Sequence, residues 1–267
     1  MTVSITQFNG RTADASELAP LAFAGFAHFT ALQIRDRGAR GLDLHLARLR
    51  AASDELFGRH LSDEAVREYL HIALVTTPPD VSLTCFVSSR PGEFAAAGDA
   101  TALDVLVRVN GPAEAPTGPL TLDVVEHERH LPHIKHVGEV SKTLLLRRAN
   151  AQGFDDAAFT DRLGRLSEAT IWNLAFWDGT SVIWPRADVL PGITMQILKR
   201  RLEILAVPQE TREIRLSDLG DHLAAVVMNS WSPGIPVSHI GGTPLNQDSA
   251  LPNLLHAAYA DEPPEPV

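Results

Sequence analysis

The sequence predicts an α+β protein built as two units of unequal size. Three observations carry that expectation. The chain has 267 residues, enough for one large or two modest cores without disulfide staples. Strand-like and helix-like apolar periodicities alternate along its length. Residues 110–119, Asn-Gly-Pro-Ala-Glu-Ala-Pro-Thr-Gly-Pro, make the best linker in the chain. The expected division is a small domain over 1–112, a linker over 113–119, a larger domain over 120–260 and a disordered tail over 261–267. The tail is acidic and proline-rich, a composition that buries too little apolar surface to order itself.

The elements follow in chain order. Phe26 to Ile34 is apolar with strand-forming residues and reads as a strand. Gly38 to Gly41 reads as a turn, and Leu44 to Leu56 has helical spacing with Leu46, Leu49 and Leu56 on one side. Asp63 to Ala73 is a second amphipathic helix, capped by Ser62 or Asp63. Val81 to Ser88 and Ala102 to Val109 read as strands, as does Leu120 to Val125 after the linker. Val140 to Ala151 is a helix that Gly153 closes. Asp156 to Thr160, Ala175 to Trp177 and Val182 to Trp184 are short strands separated by turns at Gly164 and Asp178-Gly179. Met195 to Leu205 is a helix and Leu223 to Met228 a buried strand.

Composition narrows the function. The net charge of -10 argues against nucleic acid or an anionic membrane as the main partner. No stretch reaches the roughly 18 uncharged apolar residues of a membrane span, and Met1 to Asp14 is polar and mixed, unlike a secretory signal. Cys85 is the only cysteine, so no internal disulfide forms, and a reducing cytoplasm is the simplest setting. Of 23 basic residues only Lys135, Lys142 and Lys199 are lysines. An arginine-rich chain that retains a lysine can do so for its chemistry, and a GC-rich genome gives the same bias.

Four local features bear on chemistry. His133-Ile134-Lys135-His136 sits between a strand and a helix. A partly desolvated lysine there can attack a carbonyl, and the same spacing fits a solvated loop. Leu166-Ser167-Glu168-Ala169-Thr170-Ile171-Trp172-Asn173 puts a carboxylate at a strand-to-turn junction. It can hold a pyridine ring protonated as an electron sink, and it also fits a surface turn. Leu190-Pro191-Gly192-Ile193-Thr194 precedes a helix, with Thr194 as its expected N-cap. Free first-turn amides make such an end a phosphate site, or merely a cap. Met228 to Val237 sets Ser230, Trp231, Ser232 and Gly234 after a buried strand, as phosphate donors or as a Ser-Pro-Gly turn.

Taken in order, these features resemble the class IV aminotransferases, the pyridoxal-phosphate enzymes of fold type IV. Lys135, the helix ending at Gly153, Glu168, Leu190 to Thr194 and Asn229 to Val237 keep the family's order, and Phe29-Thr30-Ala31-Leu32 with His45-Leu46-Ala47-Arg48-Leu49 resembles its small-domain signature. The resemblance runs from about Phe26 to about Gly242. It implies a small N-terminal domain and a larger one with a barrel-like sheet, a homodimer, pyridoxal 5'-phosphate as cofactor and no metal. It implies that Lys135 forms the Schiff base and moves the proton, that Glu168 pairs with the ring nitrogen, and that Arg48, Ile193, Thr194 and Ser230 bind the phosphate. Leu190 would pack on the ring, with Thr170, Ile171 and Trp231 lining the cofactor. The partners implied are an amino donor and a 2-keto acid.

The chain departs from the family where substrates bind. Phe29 stands where D-amino-acid aminotransferases use tyrosine, and no Arg-x-His pair is present in the corresponding region. Arg90 is the nearest carboxylate anchor, or a solvated turn residue. Trp172 and Trp231 suggest a narrowed pocket or core packing, and His136 is a further pocket candidate. Two other readings stand beside the aminotransferase: an aminodeoxychorismate-type lyase, which the Phe29-Thr30 signature favours, and a non-catalytic binding protein of the same fold.

Overall fold

The computed structural model describes residues 4–90 and 102–267. They form two compact units: Met1–Glu114 with Ile134–Gly138 and Pro263–Val267, and Ala115–His133 with Glu139–Glu262.

In the first unit, strands β1 (Ser4–Phe8), β2 (Arg11–Thr12), β3 (Ala27–Arg35), β4 (Gly38–Arg40), β5 (Val81–Arg90), β6 (Ala102–Asn110) and β16 (Pro264–Pro266) make one sheet in the order β16-β4-β3-β5-β6-β1-β2. Its neighbouring strands all run antiparallel. β3 and β5 alternate buried and half-buried residues, as strands with one face on a core do. Helix α1 (Ala15–Ala19) precedes β3, and α2 (Leu42–Phe57) and α3 (Asp63–Leu74) follow the β3-β4 hairpin. α2 buries Leu42, Leu46, Leu49 and Ala52, spaced as one helical face, and α3 buries Val66, Leu70 and Leu74. These stripes share one apolar cluster with Leu32, Ile34, Leu83 and Val107.

The second unit contains β7 (Leu120–Glu126), α4 (Val140–Ala151), β8 (Asp156–Thr160), β9 (Leu166–Ala169), β10 (Asn173–Trp177), β11 (Val182–Pro185), α5 (Ile193–Ile204), β12 (Gln209–Arg212), β13 (Ala224–Asn229), β14 (Ser232–Ile240), β15 (Thr243–Pro244) and α6 (Ala250–Ala260). The pairings β10-β13-β14-β7-β8-β9 return to β10, which closes a barrel. Its core takes one alternation of each strand, including Leu174 and Phe176 of β10 and Ala225 and Val227 of β13. The other alternation, Ala175, Val226 and Met228, packs with Leu198 of α5 and Leu251 and Leu255 of α6. Strands buried on both faces read as continuous apolar runs, as β13 does. The architecture is α+β with a barrel-like sheet.

Several sequence expectations need correction. The segment 261–267 is not disordered: β16 pairs with β4, and Val267 packs against the first unit's core. The sheet edge supplies backbone partners that composition does not reveal. Ile134–Gly138 cluster with the first unit, because Phe29 N–H donates to Lys135 C=O at 2.8 Å and Val137 N–H to Ala27 C=O at 3.0 Å. The turn expected at Gly38 to Gly41 lies earlier, where Asp36 and Arg37 both take positive φ and leave Gly38–Arg40 as a strand. Gly38 remains a glycine position, since a Cβ there would stand 2.9 Å from Pro264 Cβ. Ser232 to Gly234 are strand, not turn. Ser62 caps α3 as expected, accepting from Ala65 N–H at 3.2 Å. Met1 to Val3, part of the segment read as unlike a secretory signal, lie outside the described residues, as do residues 91–101.

Candidate active site

The residues singled out from sequence fall into two groups, one in each unit. In the first unit, Lys135 Nζ lies 4.9 Å from the ring centroid of Phe29, which stacks on Phe86. Thr30 and His45, from β3 and α2, share a buried hydrogen bond of 2.6 Å between Oγ1 and Nδ1. Burial pushes the His45 imidazole down to about 3, and the Arg48 and Lys135 charges add to that effect. The Phe-Thr and His-Leu-x-Arg-Leu signatures thus gather Lys135, Phe29, His45 and Arg48 in one neighbourhood of one unit. His136 is half-buried and pairs with His28 through an isolated bridge. Arg90 is exposed and ends β5 rather than standing in a turn, and its Nε donates to Asp104 Oδ2 at 2.7 Å.

In the second unit, Glu168 is the centre. It is the third residue of β9 and makes the register pair Glu168–Asn173 that closes the barrel. Its side chain is buried, and its two oxygens are held separately. Oε2 accepts the Leu190 N–H at 3.3 Å, while Oε1 faces Lys142 Nζ at 3.3 Å and Arg129 Nε at 3.5 Å. Asn173 holds the same loop from its other side, donating Nδ2–H to Leu190 C=O at 2.8 Å. A Cβ on Gly192 would stand 1.9 Å from Asn173 Oδ1, so only glycine passes there. α5 begins immediately afterwards, and its first intrahelical bond runs from Gln196 N–H to Gly192 C=O. The amides of Ile193, Thr194 and Met195 therefore have no acceptor within the helix, which suits an anion.

Two expected roles change. Thr194 is the second residue of α5, not its cap, and its hydroxyl donates to Asn229 C=O at 2.8 Å. Its backbone amide is what it can offer an anion. Thr170 and Trp172 are core residues committed to Asp156, with 2.7 Å from Thr170 Oγ1 to Oδ1 and 2.9 Å from Trp172 Nε1 to Oδ2. Ile171 and Trp231 are exposed, and Trp231 meets the Trp172 ring edge-on at 5.6 Å. Ser230 stands beside it, half-buried, in the β13-β14 turn. Leu190 is buried.

Sequence reasoning missed Asp156, Asn173, Arg129 and Lys142. Asp156 had a visible signal, an acid opening a strand that is otherwise apolar. Lys142 had only the rarity of lysine in this chain, because a lysine in the first turns of a helix is ordinarily solvated.

The donor set fits pyridoxal 5'-phosphate. A buried, oriented carboxylate suits a protonated pyridine nitrogen, and the start of α5 suits a phosphate. Among the described residues no group of His, Cys, Asp or Glu could hold a metal ion, and no helix is long and apolar enough to cross a membrane.

Comparison with known proteins agrees with the fold. The branched-chain aminotransferase of Thermoproteus uzoniensis with norvaline superposes with a TM-score of 0.80 at 17% identity, covering 97% of this chain and 94% of that one. The enzyme of the same name from Thermobaculum terrenum, in its PLP form, gives 0.80 at 16% identity and coverage of 96% and 92%. A putative 4-amino-4-deoxychorismate lyase from Legionella pneumophila gives 0.77 at 18% identity and coverage of 90% and 92%. No curated protein sequence matches significantly. The family profile described as Amino-transferase class IV matches residues 27–240. With most of its length matched by that profile, and with the barrel, the Glu168 carboxylate and the α5 amides in place, the chain belongs to the class IV aminotransferases, a family of enzymes.

Proposed function

We propose that the chain is a pyridoxal 5'-phosphate-dependent aminotransferase that moves an amino group between an amino acid or amine and a 2-keto acid. One observation carries the reading: a single loop supplies both ends of a cofactor seat. Leu190 N–H holds Glu168, and the loop then runs through Gly192 into the free amides of α5. The bound cofactor supplies an electron sink for charge developing at the substrate α-carbon.

The chain's own residues do the rest. Lys135 is the amine that would hold the cofactor, and its free amine would carry the proton at the substrate α-carbon. Glu168 accepts the ring N–H. The amides of Ile193 and Thr194, the Arg48 guanidinium and the Ser230 hydroxyl bind the phosphate. Ile171 and Trp231 offer exposed apolar surface on the cofactor-binding unit. Resting on the family likeness, the reading takes the enzyme as a homodimer in a reducing cytoplasm, which the single buried Cys85 suits.

The second reading is a lyase that releases pyruvate from aminodeoxychorismate. Phe29, stacked under Lys135 in place of tyrosine, favours it. The test is a panel of D- and L-amino acids and (R)-amines with keto-acid acceptors, alongside aminodeoxychorismate. New amino acid formed, with a borohydride-trapped adduct on Lys135, is the expected result. Pyruvate release without any transfer overturns the aminotransferase in favour of the lyase. A colourless protein with no adduct overturns both.

A further inference from the structure

The carboxylate assigned to the ring nitrogen already has a cation beside it. Lys142 lies on the first turns of α4 and reaches Glu168 Oε1 at 3.3 Å, with its side chain 15% exposed. Arg129, 3% exposed, approaches the same oxygen at 3.5 Å and donates to Glu139 Oε1 at 3.1 Å. His127 completes the group, its Nε2 3.3 Å from Ser141 Oγ. Two cations, Lys142 and Arg129, thus face one oxygen of Glu168, and Arg129 also meets Glu139. Burial holds the His127 imidazole below its usual range, so it adds no charge at neutral pH.

A protonated ring nitrogen brought to Glu168 adds a further positive charge beside these two cations on the same carboxylate. Crowding like charges in a buried site is costly, and a cation that can lose its proton relieves it. Arg129 cannot release a proton. Lys142 can, and burial, reinforced by the Arg129 charge, already holds its amine below the ordinary lysine range.

We propose that Lys142 is a positioning residue that competes with the cofactor for Glu168. Its ammonium holds and aims the carboxylate in the free protein, and cofactor binding releases one proton from Lys142 to solvent. The ammonium becomes an amine, the proton goes to water, and no other bond changes. The proposal rests on Glu168 being the partner of the ring nitrogen. It gives a second lysine a role toward the cofactor that spacing alone did not suggest.

The sign of the pH dependence follows from linkage. A proton bound only in the free protein makes binding tighter as pH rises, until Lys142 is neutral in the free protein as well. The experiment titrates pyridoxamine 5'-phosphate, which forms no bond to Lys135, into the full chain and reads tryptophan quenching from neutral to alkaline pH. The variants are Lys142→Met, Lys142→Gln and Lys142→Arg. Titrations of the ligand itself are common to all four proteins and cancel in ratios.

Lys142→Met and Lys142→Gln are expected to bind about tenfold tighter than wild type at neutral pH. Wild type should approach them as pH rises, by up to about tenfold per pH unit. Lys142→Arg, whose charge is permanent, should stay weak throughout. Wild type and the uncharged variants binding in parallel at every pH would overturn the proposal while leaving the functional reading intact. A wild-type chain that binds no pyridoxamine 5'-phosphate at any pH would overturn both.

Discussion

Glu168 and Asn173 are the register pair that closes the barrel, and both side chains hold one residue, Leu190. Glu168 takes the Leu190 N–H and Asn173 gives its amide proton to the Leu190 carbonyl. Barrel closure, carboxylate orientation and the start of α5 are therefore one construction. Perturbing it is expected to change cofactor affinity before it changes global stability.

Gly192→Ala tests that link. The new Cβ would fall 1.9 Å from Asn173 Oδ1, and Asn173 is buried and bonded, so it has little room to yield. Overpacking of this kind costs about 1–3 kcal/mol, and the loop shift should weaken binding of pyridoxal 5'-phosphate at least tenfold. Asn173→Ala weakens it as well, but the double variant should lose less than the sum of the two. Strict additivity of the two binding losses would show that the contact is not the cause.

Asp156 anchors the turn that follows Glu168. Its carboxylate accepts from Thr170 N–H at 3.2 Å, Thr170 Oγ1 at 2.7 Å and Trp172 Nε1 at 2.9 Å. Asp156→Ala leaves those buried donors unsatisfied and should destabilise the protein by on the order of 4 kcal/mol. Urea unfolding measures this, and a loss under ~1 kcal/mol would contradict the account. Asp156→Asn retains acceptor capacity and should cost less.

The first unit should be acid-sensitive through two histidines. Burial drives His28 down to about 4 and His45 down to about 3. Both are folded as neutral rings, so the unfolded chain binds protons that the native state refuses. Their contribution is complete above the unfolded value near 6.5 and is lost as pH falls from there toward about 4 for His28 and about 3 for His45. For His28 that is roughly 3 kcal/mol. Unfolding free energies of His28→Gln should therefore slope less with pH over this window than those of wild type. Identical slopes would refute the assignment.

The C-terminal strand should be structural. Pro264, Glu265 and Pro266 pair with Arg40, Ala39 and Gly38, and Arg67 Nη2 reaches Glu265 Oε2 at 3.4 Å. Deleting residues 263–267 uncovers the β4 edge and removes Val267 from the core of the first unit. The melting temperature should fall by about 2–6 °C, and the exposed edge should promote concentration-dependent association. An unchanged melting temperature would show the strand to be dispensable.

Much of this protein is written in local pattern. The alternation of β3 and β5, the stripe of α2, the Ser62 cap and the bounds of α4 follow from periodicity and from short-range hydrogen bonding, which a linear sequence displays. The order of Lys135, Glu168, Leu190 to Thr194 and Ser230 likewise carried the family.

What only the tertiary structure decided are relations between residues far apart in the chain. The tail became a strand because an unpaired edge at β4 offers it hydrogen bonds that its composition cannot announce. Thr170 and Trp172 became core residues because Asp156, on another strand, takes their donors. Lys142 became a buried counter-ion because α4 sets it against β9. Burial and pairing energies depend on which surfaces meet, and the sequence determines that meeting only through the whole fold.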